Sequence, residues 1–326
     1  MRYRSLGRSG LMVSALGLGC NNLGGRIDQK QSTTLVHAAL DQGVTLFDVA
    51  DVYGRRDAYA GASEEALGKA LTGKRSQAII ATKFGMKMCS GDDPSAQHSG
   101  ASRRYILEAV EASLKRLGTD WIDLYQLHSP DPRTPLEETL HTLDSLVTAG
   151  KIRYAGVSNL PAWQVADACH IARRDNLAGI ISCQDELSLL ARSAGKELLP
   201  ALTHFGLGLL PYFPLASGML TGKYRRDAPP PEGSRLAAWT YLQERYRDPA
   251  TWSLIEALAE LAARHERSMA DLAFGWLLHK PQIGSVIAGA TSTAQLEANI
   301  ASCAAPLDEP LLEALEHLLE EHGAPS

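Results

Sequence analysis

Short apolar runs alternate along this chain with stretches whose apolar residues recur at helical spacing. The runs at residues 15–20, 45–48, 78–84, 122–127, 152–157, 179–183, 207–212 and 285–288 have strand length and are bounded by turn residues. Between them, residues 32–42, 63–71, 103–117, 135–148, 162–173, 196–204, 252–265 and 293–300 repeat apolar positions three and four apart, as a helix with one buried face does. The stretch 103–117 is the clearest. Its Ile106, Leu107, Val110, Leu114 and Leu117 share a face, Ser102 is placed to cap the start, and Gly118 closes the end. Another helix starts at Ser268, with Asp271 in capping-box position, and must stop before Pro281. A terminal helix covers residues 309–320. Ahead of the first run, residues 1–6 and 11–14 flank the turn-rich Gly7-Arg8-Ser9-Gly10 and predict a hairpin. Residues 216–249, rich in Pro, Gly and charge, read as the longest irregular stretch.

Eight apolar strands, each followed by a helix, argue for an all-parallel sheet. Over a chain of 326 residues they argue for α/β architecture of the (β/α)8 TIM-barrel type. We therefore expect one barrel domain, residues 1–326, with an N-terminal β-hairpin and extra C-terminal helices. A doubly wound sheet is the structural rival, but its dinucleotide fingerprint is missing: Gly17-Leu18-Gly19 is followed by Asn22 where the third glycine belongs.

Composition narrows the classes. With 45% apolar and 21% charged residues, the chain is an ordinary globular one able to bury a large core. A net charge of −5 without a basic block gives no nucleic-acid surface. The five cysteines, Cys20, Cys89, Cys169, Cys183 and Cys303, are scattered and lack a CxxC pair, which favours reduced thiols in a cytoplasmic setting. No continuous apolar h-region opens the chain. The longest apolar stretch, residues 205–220, is broken by Pro211 and Pro214 and falls short of a membrane span. The ten histidines form no HExxH motif and no Cys/His cluster, so metal catalysis has no support.

Barrel active sites form where the C-terminal strand ends converge. That rule selects Asp48 with Tyr53 behind it, then Lys83, His128, Ser158 with Asn159, Gln184 with Asp185 and Glu186, and Tyr212. Each has a bland alternative. Asp48 could cap a loop, Tyr53 could be a packing residue, and His128 could be a satisfied buried histidine. Lys83 is hardest to explain away, because a lysine ending a barrel strand wants an anion, and Asp48 on the neighbouring strand is the natural one. Together they make an acid. A phenol with a pKa near ~10 donates poorly at neutral pH, and a nearby ammonium would lower that value. A tyrosine so assisted can protonate a developing alkoxide while a neutral imidazole orients the substrate oxygen.

These residues, together with YRSLGRSGLMVSALGLGC, DVADVYG, ATKFG, RLGTDWIDLYQLH, GKIRYAGVSN, LASGMLTGKY and VIAGATSTAQLEAN, make the chain resemble the aldo-keto reductase superfamily over nearly its whole length. The resemblance implies a catalytic tetrad of Asp48, Tyr53, Lys83 and His128. It also implies NADP(H) bound in extended form, a hydride passed to a carbonyl carbon, and a small-molecule aldehyde or ketone as partner, with no nucleic acid or membrane. Ser158, Asn159 and Gln184 match positions that hydrogen-bond the carboxamide, and Tyr212 the aromatic stacked on the nicotinamide. Pro214, Leu215 and Ser217 match cofactor-binding positions, and the fragment from Gly218 to Lys223 the run along the pyrophosphate. Gly289, Ser292, Gln295 and Asn299 match the adenosine end. Asn21, Asn22 and Phe84 match the substrate side, with specificity expected in the loops 85–101 and 213–249 and with Tyr224, Trp239 and Tyr241 as candidate walls.

The chain departs from the pattern in places. Phe213 stands where serine is common, and Leu187 where tyrosine is frequent. Gly289 and Gln295 occupy positions that carry Lys and Arg in many relatives, which leaves NAD(H) as an alternative to NADP(H). Other readings are a Schiff-base lyase using Lys83, a glycoside hydrolase using Asp48 and Asp185, and a nucleotide-binding regulatory subunit like the β-subunits of potassium channels. The sequence leaves oligomeric state open.

Overall fold

Ten strands and twelve helices are described by the computed structural model, which covers residues 1–88 and 98–323. The strands are β1 (Tyr3–Ser5), β2 (Met12–Ser14), β3 (Leu16–Gly19), β4 (Leu46–Asp48), β5 (Ile79–Phe84), β6 (Ile122–Leu127), β7 (Ile152–Ser158), β8 (Ile180–Glu186), β9 (Gly208–Tyr212) and β10 (Val286–Gly289). The helices are α1 (Gln29–Asp41), α2 (Ala62–Ala70), α3 (Arg103–Leu117), α4 (Leu136–Thr148), α5 (Ala162–Arg174), α6 (Leu198–Phe205), α7 (Arg235–Ala238), α8 (Thr240–Arg245), α9 (Pro249–Arg264), α10 (Met269–His279), α11 (Thr293–Ala304) and α12 (Glu309–Glu321). β3 to β10 close into a parallel barrel in chain order, with β10 pairing β3, while β1 and β2 form a separate antiparallel hairpin. The TIM-barrel expectation therefore holds, hairpin and C-terminal helices included. No helix among the described residues is long and apolar enough to cross a membrane.

Strand alternation divides the apolar residues between two cores. Leu46, Ala81, Leu124, Leu210 and Ile287 face the barrel interior, where Leu6 and Val13 join them. Phe47, Ile80, Phe84, Tyr125, Val157 and Cys183 face outward, under the helices. The hairpin closes the N-terminal end of the barrel. Leu6 is fully buried there, and the Arg8 amide donates to the Gly206 carbonyl at 2.8 Å. Gly7 cannot be replaced cheaply at this contact. Its φ is +60°, and a Cβ would lie 2.7 Å from both the Gly206 carbonyl oxygen and the Gly208 amide nitrogen. Sealing this end leaves the opposite mouth, where the strands terminate, as the open face.

Helix ends follow their caps. Ser102 accepts from the Tyr105 amide, Gly118 ends α3 in the left-handed conformation, and Ser268 with Asp271 forms the expected capping box. α1 starts at Gln29 because Asp28 and Gln31 form a capping box, three residues ahead of the apolar periodicity that placed its start at 32. α9 likewise starts at Pro249 under an Asp248 cap rather than at 252. The stretch read as irregular contains a 3-10 turn at Ala216–Thr221 besides α7 and α8. Cys89 and the middle of the 85–101 loop lie outside the described residues.

Candidate active site

The mouth of the barrel is organised by a buried ion pair. Asp48 pairs in register with Ala81, so Lys83, two residues further along the same inward face, ends beside the carboxylate. Lys83 Nζ donates to both Asp48 oxygens, at 2.7 and 2.8 Å, and to the Val49 carbonyl at 3.1 Å. The Tyr53 hydroxyl lies 3.5 Å from the same nitrogen. The lysine side chain is wholly buried, with the aspartate nearly so. Burial alone would push the ammonium toward neutrality, but Asp48 and then Tyr53 outweigh it, and the Lys83 pKa is raised. The amine is therefore a held cation and not a free nucleophile.

The Tyr53 hydroxyl behaves differently from the simple expectation. Burial is the largest influence and raises its pKa; Lys83 pulls it down, Asp48 pushes it up, and the net shift is upward. The ammonium acts with the expected sign but does not dominate before substrate charge develops. His128 completes the group, its ring 5.8 Å from that of Tyr53 and nearly perpendicular to it. Burial first, then the Lys83 charge, pushes the imidazole down to about 3, so it is neutral near pH 7. Its Nδ1 is buried with no hydrogen-bond partner.

A cavity of about 910 Å³ runs from this group across the mouth. Asp48, Tyr53 and His128 line it with Met86 and Ser129, while Asn21 and Asn22 lie against Gly289, where an added Cβ would come within 3.6 and 3.5 Å of their side chains. Ser158, Asn159, Gln184 and Tyr212 also line it, as do Phe213, Pro214, Leu215, Ser217, Gly218 and Lys223, and Gly289, Thr291, Gln295 and Asn299. Most of the expected residues thus share one surface. Two lie elsewhere. Phe84 follows Lys83, so alternation turns its ring outward, where it stacks on Tyr125 at 4.7 Å and is fully buried. Ser292 spends its hydroxyl capping α11, accepting from the Gln295 amide, and does not reach the cavity. Tyr224, Trp239 and Tyr241 are not part of the wall either: the Tyr224 hydroxyl accepts from the Leu236 amide, and the other two stack on each other. Asp185 is also outside the lining, and Leu187 is buried.

The two side-chain amides matched to the carboxamide site are hydrogen-bonded within the protein. Gln184 Nε2 donates to Asp48 Oδ1 at 2.8 Å. Asn159 Nδ2 donates to the His128 carbonyl at 2.9 Å and its Oδ1 accepts from the Tyr212 hydroxyl at 2.8 Å. Asn159 reaches both because its backbone is left-handed, with φ of 60°, a conformation asparagine tolerates better than most residues.

Sequence reasoning missed the cations Arg26 and Arg235. Both line the cavity with Lys223, whereas Asp48 is the one acid in the described lining. A Cβ on Gly289 would sit 3.4 Å from Arg235 Nη2, so α7 brings a guanidinium to the place where the strand itself carries none. The segment is held there by Arg26, which donates to the Gly233 carbonyl at 3.0 Å, and by Trp239, over whose ring Arg56 and Arg235 both lie. No periodicity signals such a residue, since α7 is a four-residue helix inside a stretch rich in Pro, Gly and charge. A nicotinamide dinucleotide suits this lining, which joins hydroxyl and amide groups with three cations and, among the described residues, a single acid. No group of three or more potential metal ligands occurs among the described residues.

Comparison with known proteins agrees with this architecture. The profile of the Aldo/keto reductase family matches residues 15–320. The chain is 35% identical to a probable voltage-gated potassium channel subunit beta of Arabidopsis thaliana, over 98% of this chain and 97% of the relative. It is 34% identical to the uncharacterized oxidoreductase YrpG of Bacillus subtilis, over 99% of this chain and 97% of that one. It is also 34% identical to the L-glyceraldehyde 3-phosphate reductase of Escherichia coli, over 92% and 87% respectively. The chain belongs to the Aldo/keto reductase family.

Proposed function

We propose that this protein is an NADP(H)-dependent oxidoreductase that reduces aldehyde or ketone carbonyls to alcohols, with Tyr53 as the general acid. The observation that carries this reading is Lys83 Nζ, held by both oxygens of Asp48 and 3.5 Å from the Tyr53 hydroxyl at the cavity wall. A bound nicotinamide would supply the hydride. As negative charge grows on the substrate oxygen, Tyr53 gives up its proton, and the adjacent ammonium stabilises the phenolate left behind. Asp48 keeps Lys83 in place. Neutral His128 orients the oxygen through a hydrogen bond and adds no charge.

Ser158, Asn159 and Gln184 are assigned to the carboxamide, Tyr212 to the nicotinamide ring, and residues 214–223 to the pyrophosphate. Arg235 is the partner we assign to a 2′-phosphate, in place of the cations that Gly289 and Gln295 do not provide. This favours NADPH over NADH. The lyase reading loses support because Lys83 is buried, charged and saturated with acceptors. The hydrolase reading loses it because Asp48 is neutralised and Asp185 lies outside the lining.

A regulatory role has one specific support, the 35% identity to a probable potassium channel subunit beta. Titration of protein fluorescence with NADPH and NADH, followed by turnover on a panel of aldehydes and ketones, separates the two. NADPH binding with turnover is the expected result. Binding without turnover on any carbonyl would favour regulation, and binding of neither nucleotide would overturn both.

A further inference from the structure

Behind the Tyr53 turn lies a second buried charged group that the proposed chemistry does not use. Asp51 is 1% exposed, and its backbone amide donates to the Lys83 carbonyl at 3.1 Å, fixing the turn to β5. Its Oδ2 accepts from the Tyr105 hydroxyl of α3 at 3.3 Å, while its Oδ1 has no partner. Glu64 of α2 is also fully buried, but it is saturated. It accepts from Thr82 Oγ1 at 2.6 Å, from Ser113 Oγ at 3.3 Å and from Arg116 Nε at 2.7 Å. Among the described residues Arg116 is the one cation acting on this pocket, and its Nη2 donates to Ser113 Oγ at 3.2 Å. The titratable groups facing Asp51 are Glu64, Arg116, Tyr105 and Tyr125. The same elements grip Tyr53, whose carbonyl accepts from the amides of Gly61 and Ser63 at the start of α2. Gly61 is forced there by the arginine, because a Cβ would lie 2.5 Å from Arg116 Cδ.

We propose that Asp51 is a positioning residue for Tyr53 and that it works as a neutral carboxylic acid, because Glu64 has already taken the one cation that the described residues bring to their shared pocket. Two carboxylates buried with one guanidinium cannot both be compensated. Glu64 holds the guanidinium and two hydroxyls, whereas Asp51, with the Tyr105 hydroxyl and the Val52 amide as its donors and no cation of its own, keeps its proton. The direction is consistent, since burial and then the Glu64 charge hold the Asp51 carboxyl well above the usual carboxylate range. A neutral Asp51 fills its place between β5 and α3 without repelling Glu64, and so fixes the turn from which the Tyr53 hydroxyl reaches Lys83.

The positioning role rests on the reductase reading, but the protonation state does not, and the test separates them. The infrared spectrum of the full-length protein at pH 7 should contain a carboxylic-acid C=O band that disappears in Asp51→Asn. It should also disappear in Glu64→Gln, where Arg116 is freed to pair with an ionised Asp51. In turnover with NADPH, Asp51→Asn, the isostere of the neutral acid, should keep kcat within about threefold, while Asp51→Ala should lower it about tenfold without changing NADPH affinity. Absence of the band at pH 7 would overturn the proposal. So would an Asp51→Asn variant as impaired as Asp51→Ala, or an Asp51→Ala variant with undiminished kcat. A wild-type protein without turnover would overturn the reductase reading and with it the positioning role, while the band would still decide the protonation state.

Discussion

Replacing Lys83 by methionine would remove the ammonium and leave Asp48 buried with Gln184 as its remaining donor. Breaking a buried ion pair by deleting one partner costs about 3–5 kcal/mol, chiefly because the surviving charge is uncompensated. For a chain of 326 residues, an unfolding entropy of about 2.1 cal/mol/K per residue sums to roughly 0.7 kcal/mol/K. Lys83→Met should then melt roughly 4–7 °C below the wild type at neutral pH. Adding Asp48→Asn removes the stranded charge, so the double variant should recover at least half of that deficit. The sign with pH is also fixed. A buried carboxylate without its cation costs only while ionised, so the Lys83→Met deficit should be smallest in acid and grow as pH rises. The assay is thermal unfolding of the wild type, both single variants and the double variant at two pH values. Additive losses, or a Lys83→Met variant that melts with the wild type, would refute the claim that this pair is a coupled charge. Neither single variant should retain appreciable carbonyl reduction, since positioned proton transfer contributes about 10²–10⁴-fold.

Two further outcomes follow from the same geometry. Arg235→Met should weaken NADPH binding on the order of tenfold and leave NADH nearly unchanged; equal losses for both nucleotides in the fluorescence titration would place the guanidinium away from the 2′-phosphate. His128 concerns acid stability. The unfolded chain takes up a proton near pH ~6.5, whereas the folded chain resists until about pH 3. The unfolded state therefore binds more protons in that window, and stability falls as pH drops through it. Melting temperatures at pH 7 and pH 5 should show a smaller acid loss in His128→Gln than in the wild type, and equal losses would mean the imidazole is charged in the fold.

The barrel was legible because alternation of apolar runs with amphipathic helices is repeated eight times, and each repeat fixes a strand end. Lys83 and Asp48 were legible for the same reason, since parallel register brings neighbouring strand ends together. What escaped depends on where side chains point or on contacts through loops. Phe84 follows a site lysine in sequence, yet the period of two sends it to the outer core. Arg235 sits in a stretch without periodicity and is delivered to the cavity by its contact with Trp239. The Gln184 bond to Asp48 depends on inward side chains meeting from different barrel strands, and no spacing in the chain encodes it. Helix starts were misjudged where the first turn is polar, as at Gln29 and Pro249; there the caps Asp28 and Asp248 carried the signal.

The central claim is that the Tyr53 hydroxyl delivers the proton, and a single turnover tests it most directly. Protein saturated with NADPH would be mixed with an aldehyde and the decay of nicotinamide absorbance followed, for the wild type and for Tyr53→Phe. The predicted result is unchanged NADPH affinity in the variant with decay slowed at least ~100-fold. Decay at the wild-type rate in Tyr53→Phe would contradict the assignment.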